Sequence, residues 1–243
     1  MSDNKTLLVT GASSDIGTEI IREVIGDYDC VLAHFNHENE ALGRLFEEWG
    51  SKIVPLQADF SDPDSVTAMI DTIKAKGYSP DHIVHLAAPK FAIQKFVKEP
   101  IDDFRNNYTV SVDSIINILK AFLPDMVKRK SGKIVFALSA NVTGTPAKFQ
   151  SAYTTVKYAL LGLMKSLAVE YSDKGITVNA VSPDMVDTKF LSEIPRLVIE
   201  QEADKNPSKR ILNVTEVAPK FAYLLSKEAD DITGENILVS NLK

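Results

Sequence analysis

The sequence predicts an α/β fold: a doubly wound, mostly parallel seven-stranded sheet with helices on both faces. Apolar runs of strand length alternate with longer stretches of helical periodicity along the chain. Such alternation is typical of a parallel sheet that is covered on both sides. The 243 residues, 44% of them hydrophobic and 25% charged, are enough for one large buried core. We therefore expect residues 1–243 to form a single domain.

The elements follow one another in strict alternation. Apolar runs predict strands at 6–10, 30–35, 52–57, 82–87, 133–138, 176–181 and 236–239. Amphipathic stretches predict helices at 16–25, 38–49, 65–76, 101–129 and 152–171. Asp62 is a suitable N-cap for the third helix, because Pro63 then occupies its first position. Gly77, Gly132 and Gly175 stand where helices should end.

The least regular stretch is 184–213, which contains Pro195, Pro207 and many charged residues. Long irregular connections in compact domains often carry function. We therefore expect a mobile lid over a substrate pocket around 184–213.

Charge and composition exclude several partners. A net charge of −6 argues against nucleic acid and anionic membrane surfaces, which both need a broad positive field. The single cysteine, Cys30, cannot form an internal disulfide, and no apolar signal segment precedes the first strand. These features favour the cytoplasm. His82 and His85 lack the companion acids or thiols of a metal site, so no metal is predicted.

A glycine-containing turn, Thr10-Gly-Ala-Ser-Ser-Asp-Ile-Gly17, follows the first strand. Glycines at such a turn let backbone N–H groups and a helix N-terminus approach a diphosphate closely. Gly11 and Gly17 suit that role. An ordinary strand-to-helix turn would also explain the motif taken alone.

Tyr153 and Lys157 lie four residues apart at the start of a predicted helix. Residues with this spacing share one helix face, so both side chains can project into one cleft. A free tyrosine titrates near pH 10 and needs a nearby cation to exchange protons at neutral pH. Lys157 can supply that charge, which makes Tyr153 a candidate proton donor.

The two motifs together resemble the short-chain dehydrogenase/reductase family, in the single-domain branch that includes 3-oxoacyl-(acyl carrier protein) reductases. The resemblance covers nearly the whole chain. It implies a Rossmann-type fold, a nicotinamide cofactor, a small carbonyl or alcohol substrate and a homodimer or homotetramer. Further matching segments are Ala58-Asp-Phe60, Gly132-Lys-Ile-Val135 leading to Ser139, Val178-Asn-Ala-Val-Ser-Pro183 followed by Thr188, and Ile232-Thr-Gly234.

The resemblance assigns roles to individual residues. Lys157 would tune Tyr153 and hold the nicotinamide ribose, and Ser139 would polarise the substrate carbonyl. A different register in the same loop would give that place to Asn141. Ser111 falls at the relay position of the long helix, where a local distortion would expose its backbone carbonyl. Further residues expected at the cofactor are Gly11, Ser13, Ser14, Asp15, Ile16, Gly17, Asn36, Asp59, Phe60, Ala87, Pro183, Val186 and Thr188.

Three departures from the family pattern stand out. Asp15 replaces a glycine in the phosphate loop, where its carboxylate either points outward or repels the cofactor phosphates. We therefore predict that Asp15→Gly tightens cofactor binding. His85-Leu-Ala-Ala88 replaces Asn-Asn-Ala-Gly, and Asp184 replaces a glycine in the loop that meets the nicotinamide.

The residues after the second strand bear on the choice of cofactor. Enzymes of this fold that use NAD commonly place an acid there, and that acid would repel a 2′-phosphate. Here the first acid is Glu38, while Asn36, His34 or His37 could donate hydrogen bonds to such a phosphate. NADP(H) is therefore expected to be preferred over NAD(H).

Two functions remain open at this point. The first is an NAD(P)(H)-dependent oxidoreductase that interconverts a carbonyl and a secondary alcohol, with a 3-oxoacyl compound as one candidate substrate. The second is a nucleotide-binding or regulatory module that kept the fold and lost turnover, which the departures at Asp15, Ser111 and Asp184 suggest. Retention of both Tyr153 and Lys157 favours the enzyme.

Overall fold

A sheet of seven strands organises the computed structural model, which describes residues 5–90 and 93–240. Its spatial order is β3-β2-β1-β4-β5-β6-β7, and all paired neighbours are parallel. The predicted fold class is confirmed. The strands are β1 (Thr6–Thr10), β2 (Cys30–Phe35), β3 (Ile53–Gln57), β4 (His82–His85), β5 (Gly132–Ala137), β6 (Ile176–Pro183) and β7 (Asn236–Val239).

Eight α-helices connect and cover these strands in the described part of the chain. They are α1 (Asp15–Val24), α2 (Glu40–Trp49), α3 (Pro63–Ala75), α4 (Ile101–Tyr108), α5 (Ser114–Arg129), α6 (Ser151–Glu170), α7 (Arg196–Lys205) and α8 (Val214–Leu225). Asp62 caps α3 as predicted, accepting a hydrogen bond from the N–H of Asp64. The predicted helix 101–129 is instead α4 and α5 joined by a π-helical turn at Thr109–Asp113.

Apolar side chains leave the sheet on both sides, so two cores form. Leu8, Ile83 and Ile134 lie in one core, together with side chains from α3, α5 and α6. Val9 and Val84 lie in the opposite core, which α1, α2 and α8 cover. Successive side chains of a strand enter opposite cores, and each core is covered by its own layer of helices.

The chain order reverses direction between β1 and β4. From β1 the sheet grows first toward β2 and β3, and then, on the other side, from β4 to β7. Connections on the two sides diverge at such a switch point, which leaves a crevice at the carboxyl ends of the strands. The predicted fourth strand, 82–87, ends early at His85. The N–H of Leu86 donates to both the carbonyl and the hydroxyl of Thr10, and the N–H of Ala87 donates to that hydroxyl.

Within 5–90 and 93–240, none of the helices combines the length and hydropathy that a bilayer span requires. The same residues contain no group of three or more His, Cys, Asp or Glu side chains arranged to hold a metal ion.

Candidate active site

A cleft of about 1220 Å³ opens at the carboxyl end of the sheet. This volume exceeds that of most pockets for small ligands, and so leaves room for a cofactor together with a substrate. Gly17 and Ser111 do not line it. The predicted residues that do are Gly11, Ser13, Ser14, Asp15, Ile16, Asn36, Asp59, Phe60, Ala87, Ser139, Tyr153, Lys157, Pro183, Val186 and Thr188.

The turn after β1 is held in shape by its own side chains. Ser14 is the N-cap of α1: its Oγ accepts a hydrogen bond from the N–H of Gly17 at 3.0 Å and donates to the Gly11 carbonyl at 2.8 Å. A Cβ at Gly17 would lie 2.5 Å from the Gly11 oxygen, and Gly11 itself has φ +73°. Both positions require glycine, and the resulting tight turn brings the positive end of α1 to the cleft.

Asp15, the first residue of α1, does not point away into solvent. Its Oδ2 accepts a hydrogen bond from the backbone N–H of Lys189 at 2.7 Å. The carboxylate therefore joins the phosphate loop to the 184–213 segment on the other side of the cleft.

His34 is not available to a ribose phosphate, contrary to one of the alternatives in the sequence analysis. Its Nδ1 accepts a hydrogen bond from the N–H of Gly11 at 3.1 Å, and its Nε2 lies 3.1 Å from the Ala58 carbonyl oxygen. Its ring stacks on Phe60 with centroids 3.7 Å apart. Burial lowers the pKa of His34 to about 4, so the imidazole is neutral. It accepts from Gly11 and so helps to hold the turn after β1 in place.

Polar groups from two loops surround the outer part of the cleft. Asn39, which the sequence analysis missed, caps α2 and donates from Nδ2 to the Ser13 carbonyl. Asp59 accepts hydrogen bonds from the N–H and hydroxyl of Ser61, which lower the pKa of the carboxyl. Asn36 and His37 complete this region of the lining.

Tyr153 and Lys157 lie in the first two turns of α6 and face the same cleft. The Lys157 Nζ is 5.4 Å from the centroid of the Tyr153 ring and donates a hydrogen bond of 2.7 Å to the Ala137 carbonyl at the end of β5. The lysine is 5% exposed. Backbone and packing therefore fix the ammonium beside the phenol.

Burial shifts the pKa values of both groups. It lowers the pKa of Lys157 to about 8, which still leaves the amine mostly protonated at pH 7. Tyr153 keeps part of its surface open to the cleft, yet desolvation raises its pKa, and a hydrogen bond with Ser139 offsets part of that rise. In the protein without ligands, the pKa of the phenol therefore lies above its ordinary value, and Lys157 alone does not make the phenol acidic.

The geometry favours Ser139 over Asn141 as the group that meets a substrate oxygen. Ser139 is hydrogen-bonded to Tyr153, whereas the Asn141 amide is used inside its own loop. Its Nδ2 donates to Gln150 at 2.8 Å and to Thr154 at 3.1 Å, and its Oδ1 accepts from the N–H of Ala147 at 3.2 Å.

Ser111 lies behind the cleft, in the π-helical turn. The expected helix distortion is present, but the Ser111 carbonyl accepts a hydrogen bond from Nε2 of the buried His85 at 2.8 Å. Nδ1 of His85 lies 2.7 Å from the Thr10 hydroxyl. The Ser111 Oγ is buried and has no hydrogen-bond partner within the described chain. His85 thus joins the end of β1 to the distorted helix.

The loop after β6 contributes backbone and hydroxyl groups. The Thr188 hydroxyl donates to the Val186 carbonyl at 3.3 Å, and Val186 forms a bridge with Leu212. Asp184 is held locally, because its Oδ1 accepts from the N–H of Met185 at 2.9 Å. Pro183 is the last residue of β6 and also lines the cleft.

Comparisons with known proteins agree with this geometry. A family model described as enoyl-(acyl carrier protein) reductase matches residues 11–241. Oxidoreductase UcpA of Escherichia coli (strain K12) is 32% identical over 244 residues, which cover 96% of this chain and 92% of the relative. The 3-oxoacyl-[acyl-carrier-protein] reductase FabG of Salmonella typhimurium is 30% identical over 243 residues, which cover 98% and 96%.

The chain belongs to the short-chain dehydrogenase/reductase family. A solved 3-oxoacyl-[acyl-carrier protein] reductase of this family, from Brucella melitensis with bound NAD, superposes with a TM-score of 0.83 at 26% identity. The superposition covers 99% of this chain and 91% of that structure.

As a short-chain dehydrogenase/reductase, the chain is an NAD(P)-dependent oxidoreductase that acts on a carbonyl and its alcohol. Two contacts of the 184–213 segment at this site were not predicted from the sequence. The Phe190 ring lies 6.4 Å from the Tyr153 ring, and Lys90 donates to the Ser192 hydroxyl at 3.0 Å. Phe190 and Lys90 belong to no sequence motif, so only the folded structure shows that they lie at the cleft.

Proposed function

We propose that this chain interconverts a ketone and a secondary alcohol through Tyr153, Lys157 and Ser139, with NADP(H) preferred over NAD(H). The observation that carries the proposal is that these three side chains line the same cleft as the phosphate loop. A proton donor, a fixed cation and a hydroxyl are then within reach of one another and of a dinucleotide site.

The residues present fit a nicotinamide cofactor. The turn from Gly11 to Gly17 is packed so tightly that only glycine fits at both ends, which suits close approach by a diphosphate. Lys157 and Thr188 would hold the ribose and carboxamide. When bound, the cofactor would supply or take up the hydride, which no protein side chain can do.

Tyr153 would handle the proton of this reaction. In reduction its hydroxyl would donate to the substrate oxygen, while Ser139 would donate a hydrogen bond to the same atom as negative charge develops there. Lys157 would stabilise the phenolate left behind, since its ammonium is held close to the ring and has little solvent to screen it. Alcohol oxidation would use the same groups in reverse. Ser111 would act through the π-helical turn rather than by contact with the substrate.

The preference for NADP(H) is supported by the polar lining at the end of β2. Asn36 and His37, rather than an acid, follow the strand there, and the Ser13 and Ser14 turn lies opposite. Titration calorimetry with both cofactors tests the preference: a lower dissociation constant for NAD+ than for NADP+ would contradict it.

For the substrate we propose a 3-oxoacyl compound, because two relatives named 3-oxoacyl-[acyl-carrier-protein] reductase match nearly the whole chain. NADPH oxidation with 3-oxoacyl thioesters, keto sugars and small ketones tests this class, with Tyr153→Phe as the control. We expect turnover with the thioesters and its loss in the control. Unaltered turnover in Tyr153→Phe would contradict the catalytic assignment. Cofactor binding without turnover on any substrate would instead favour the regulatory module.

We further propose that residues 1–243 act as one domain with a lid around 184–213, and that the chain forms a homodimer or homotetramer in the cytoplasm. The sheet, which runs from β1 to β7, supports the single domain. Exposed apolar side chains on and beside α4 and α6, among them Ile101, Tyr108 and Tyr158, support self-association. Light scattering after size exclusion tests the assembly, and a monomer at micromolar concentration would contradict it.

A further inference from the structure

Asp15 makes a contact that its place in the phosphate loop does not require. It is the first residue of α1, and its Oδ2 accepts a 2.7 Å hydrogen bond from the N–H of Lys189, a residue 174 positions away. Lys189 begins the short 3₁₀ turn Lys189–Glu193 in the 184–213 segment. The carboxylate thus binds the start of that turn, and a charge-assisted hydrogen bond is stronger than one between neutral groups.

The Lys189–Glu193 turn carries a side chain to the catalytic tyrosine. Phe190, the residue after the contact, places its ring 6.4 Å from the ring of Tyr153. At the far end of the turn, Lys90 contacts Ser192 at 3.0 Å and Glu193 at 3.8 Å. The Lys90 and Glu193 side chains are exposed, so this ion pair holds the turn weakly. The Asp15 contact is the shorter of the two attachments.

We propose that Asp15 is a positioning residue for the lid: its carboxylate holds the Lys189 N–H and thereby seats Phe190 beside Tyr153 before a cofactor arrives. The role of Phe190 as a wall of the substrate space rests on the proposed function. The attachment of the lid by Asp15 does not.

The same carboxylate carries a cost for cofactor binding. A diphosphate at the loop between Gly11 and Gly17 would lie near the negative charge of Asp15, and like charges repel in a partly desolvated cleft. Asp15 therefore combines lid attachment with weaker cofactor affinity, and the two effects can be separated by substitution.

Three variants separate the hydrogen bond from the charge. Asp15→Gly removes both, and Asp15→Asn keeps an acceptor oxygen without the charge. Lys189→Pro removes the donor and leaves the carboxylate. Proline fits the first position of a helical turn, and Thr188, before it, is already extended with φ −149° and ψ 160°. Asp62→Ala is the matched control, since the Asp62 carboxylate also accepts a backbone N–H at a helix start and Asp62 is not itself a lining residue of the cleft.

Hydrogen exchange of residues 188–193 without cofactor is the first measurement. We expect exchange about tenfold faster or more in Asp15→Gly, from loss of a charge-assisted hydrogen bond, and a smaller increase in Asp15→Asn. Lys189→Pro should speed exchange at residues 190–193, and Asp62→Ala should leave the segment unchanged. Unaltered exchange in both Asp15→Gly and Lys189→Pro would overturn the proposal. If Asp15→Gly does not fold, the exchange of residues 190–193 in Lys189→Pro alone decides whether the proposal holds.

Calorimetry with NADP+ is the second measurement. Asp15→Gly and Asp15→Asn should both bind NADP+ several-fold more tightly, whereas Lys189→Pro should not. Unchanged or weaker binding in both Asp15 variants would overturn the charge argument. Hydrogen exchange of the lid is measured without cofactor or substrate, so faster exchange in the variants supports the lid attachment even if the proposed function fails. Unchanged exchange would contradict the attachment and leave the proposed function intact.

Discussion

In the proposed mechanism, the surroundings of Lys157 decide whether Tyr153 can exchange protons. Its ammonium is almost fully buried and fixed by the Ala137 carbonyl, so its charge acts on Tyr153 with little screening. Even so, desolvation keeps the pKa of Tyr153 above its ordinary value. Lowering that pKa by about 3 units requires about 4 kcal/mol of differential stabilisation. An oxidised nicotinamide ring would add the second positive charge that the protein alone does not provide.

Substitution of Ser139 and Asn141 should have different consequences. Ser139→Ala should lower kcat by about 10²-fold or more, because in the proposed mechanism the hydroxyl donates to the substrate oxygen as charge develops there. Asn141→Ala should mainly lower the free energy of unfolding, by about 1–3 kcal/mol, because it leaves loop partners such as Gln150 unpaired. Steady-state kinetics and urea unfolding of both variants check this. A larger loss of kcat in Asn141→Ala than in Ser139→Ala would reverse the assignment.

The π-helical turn between α4 and α5 depends on one buried imidazole. His85 forms hydrogen bonds with the Ser111 carbonyl on the helix and with the Thr10 hydroxyl at the end of β1. Since the Ser111 carbonyl can only accept, Nε2 carries the proton and Nδ1 accepts from Thr10. His85→Leu should therefore cost about 2–5 kcal/mol of unfolding free energy, because the Ser111 carbonyl loses its His85 donor and the Thr10 hydroxyl, which still accepts from backbone N–H groups, loses its acceptor.

Urea unfolding of His85→Leu, with His37→Leu as the exposed control, measures this cost. We expect the control to change the unfolding free energy by less than about 0.5 kcal/mol. An equal effect in both variants would show that His85 does not support the turn.

Strong local periodicity is what made most elements predictable from sequence. The strands stand out because both faces of a parallel sheet are buried, which yields continuous apolar runs such as 6–10. Helices α7 and α8 were missed. The Asn213 and Glu216 capping box marks the start of α8, but α7 has no buried residue and so no apolar stripe.

The location of most motif residues at the cleft was likewise predictable, whereas their hydrogen-bond partners were not. Tyr153, Lys157 and the glycines lie in short segments with fixed spacing. The contacts of Asp15 with Lys189 and of His85 with Ser111 join residues distant in sequence, so only the folded sheet reveals them. For the same reason His34 was given a surface role, although it packs under Gly11.

At the scale of the whole molecule, buried histidines should make stability depend on pH. Burial lowers the pKa of His34 to about 4 and those of His82 and His85 to about 3. An unfolded histidine titrates near 6.5. Below that pH the unfolded chain binds more protons, so stability is full above about pH 6.5 and falls with decreasing pH toward the folded pKa values.

Between pH 6 and pH 5 each of these histidines should lower the free energy of unfolding by about 1 kcal/mol, and the three together by about 3–4 kcal/mol. Urea unfolding at pH 7.5, 6 and 5 measures the slope. Replacing His82 by glutamine should reduce this slope. An unfolding free energy that stays constant from pH 6 to pH 5 would contradict the neutral, buried state of all three.

The most direct test of the account is a spectroscopic titration of the Tyr153 phenol, read as the difference between wild type and Tyr153→Phe. In the free protein the phenol should ionise only above about pH 10. Saturation with NADP+ should move that ionisation toward neutral pH, because the pyridinium adds its charge to that of Lys157. Absence of any phenol that ionises below pH 10 in the NADP+ complex would contradict Tyr153 as the proton donor.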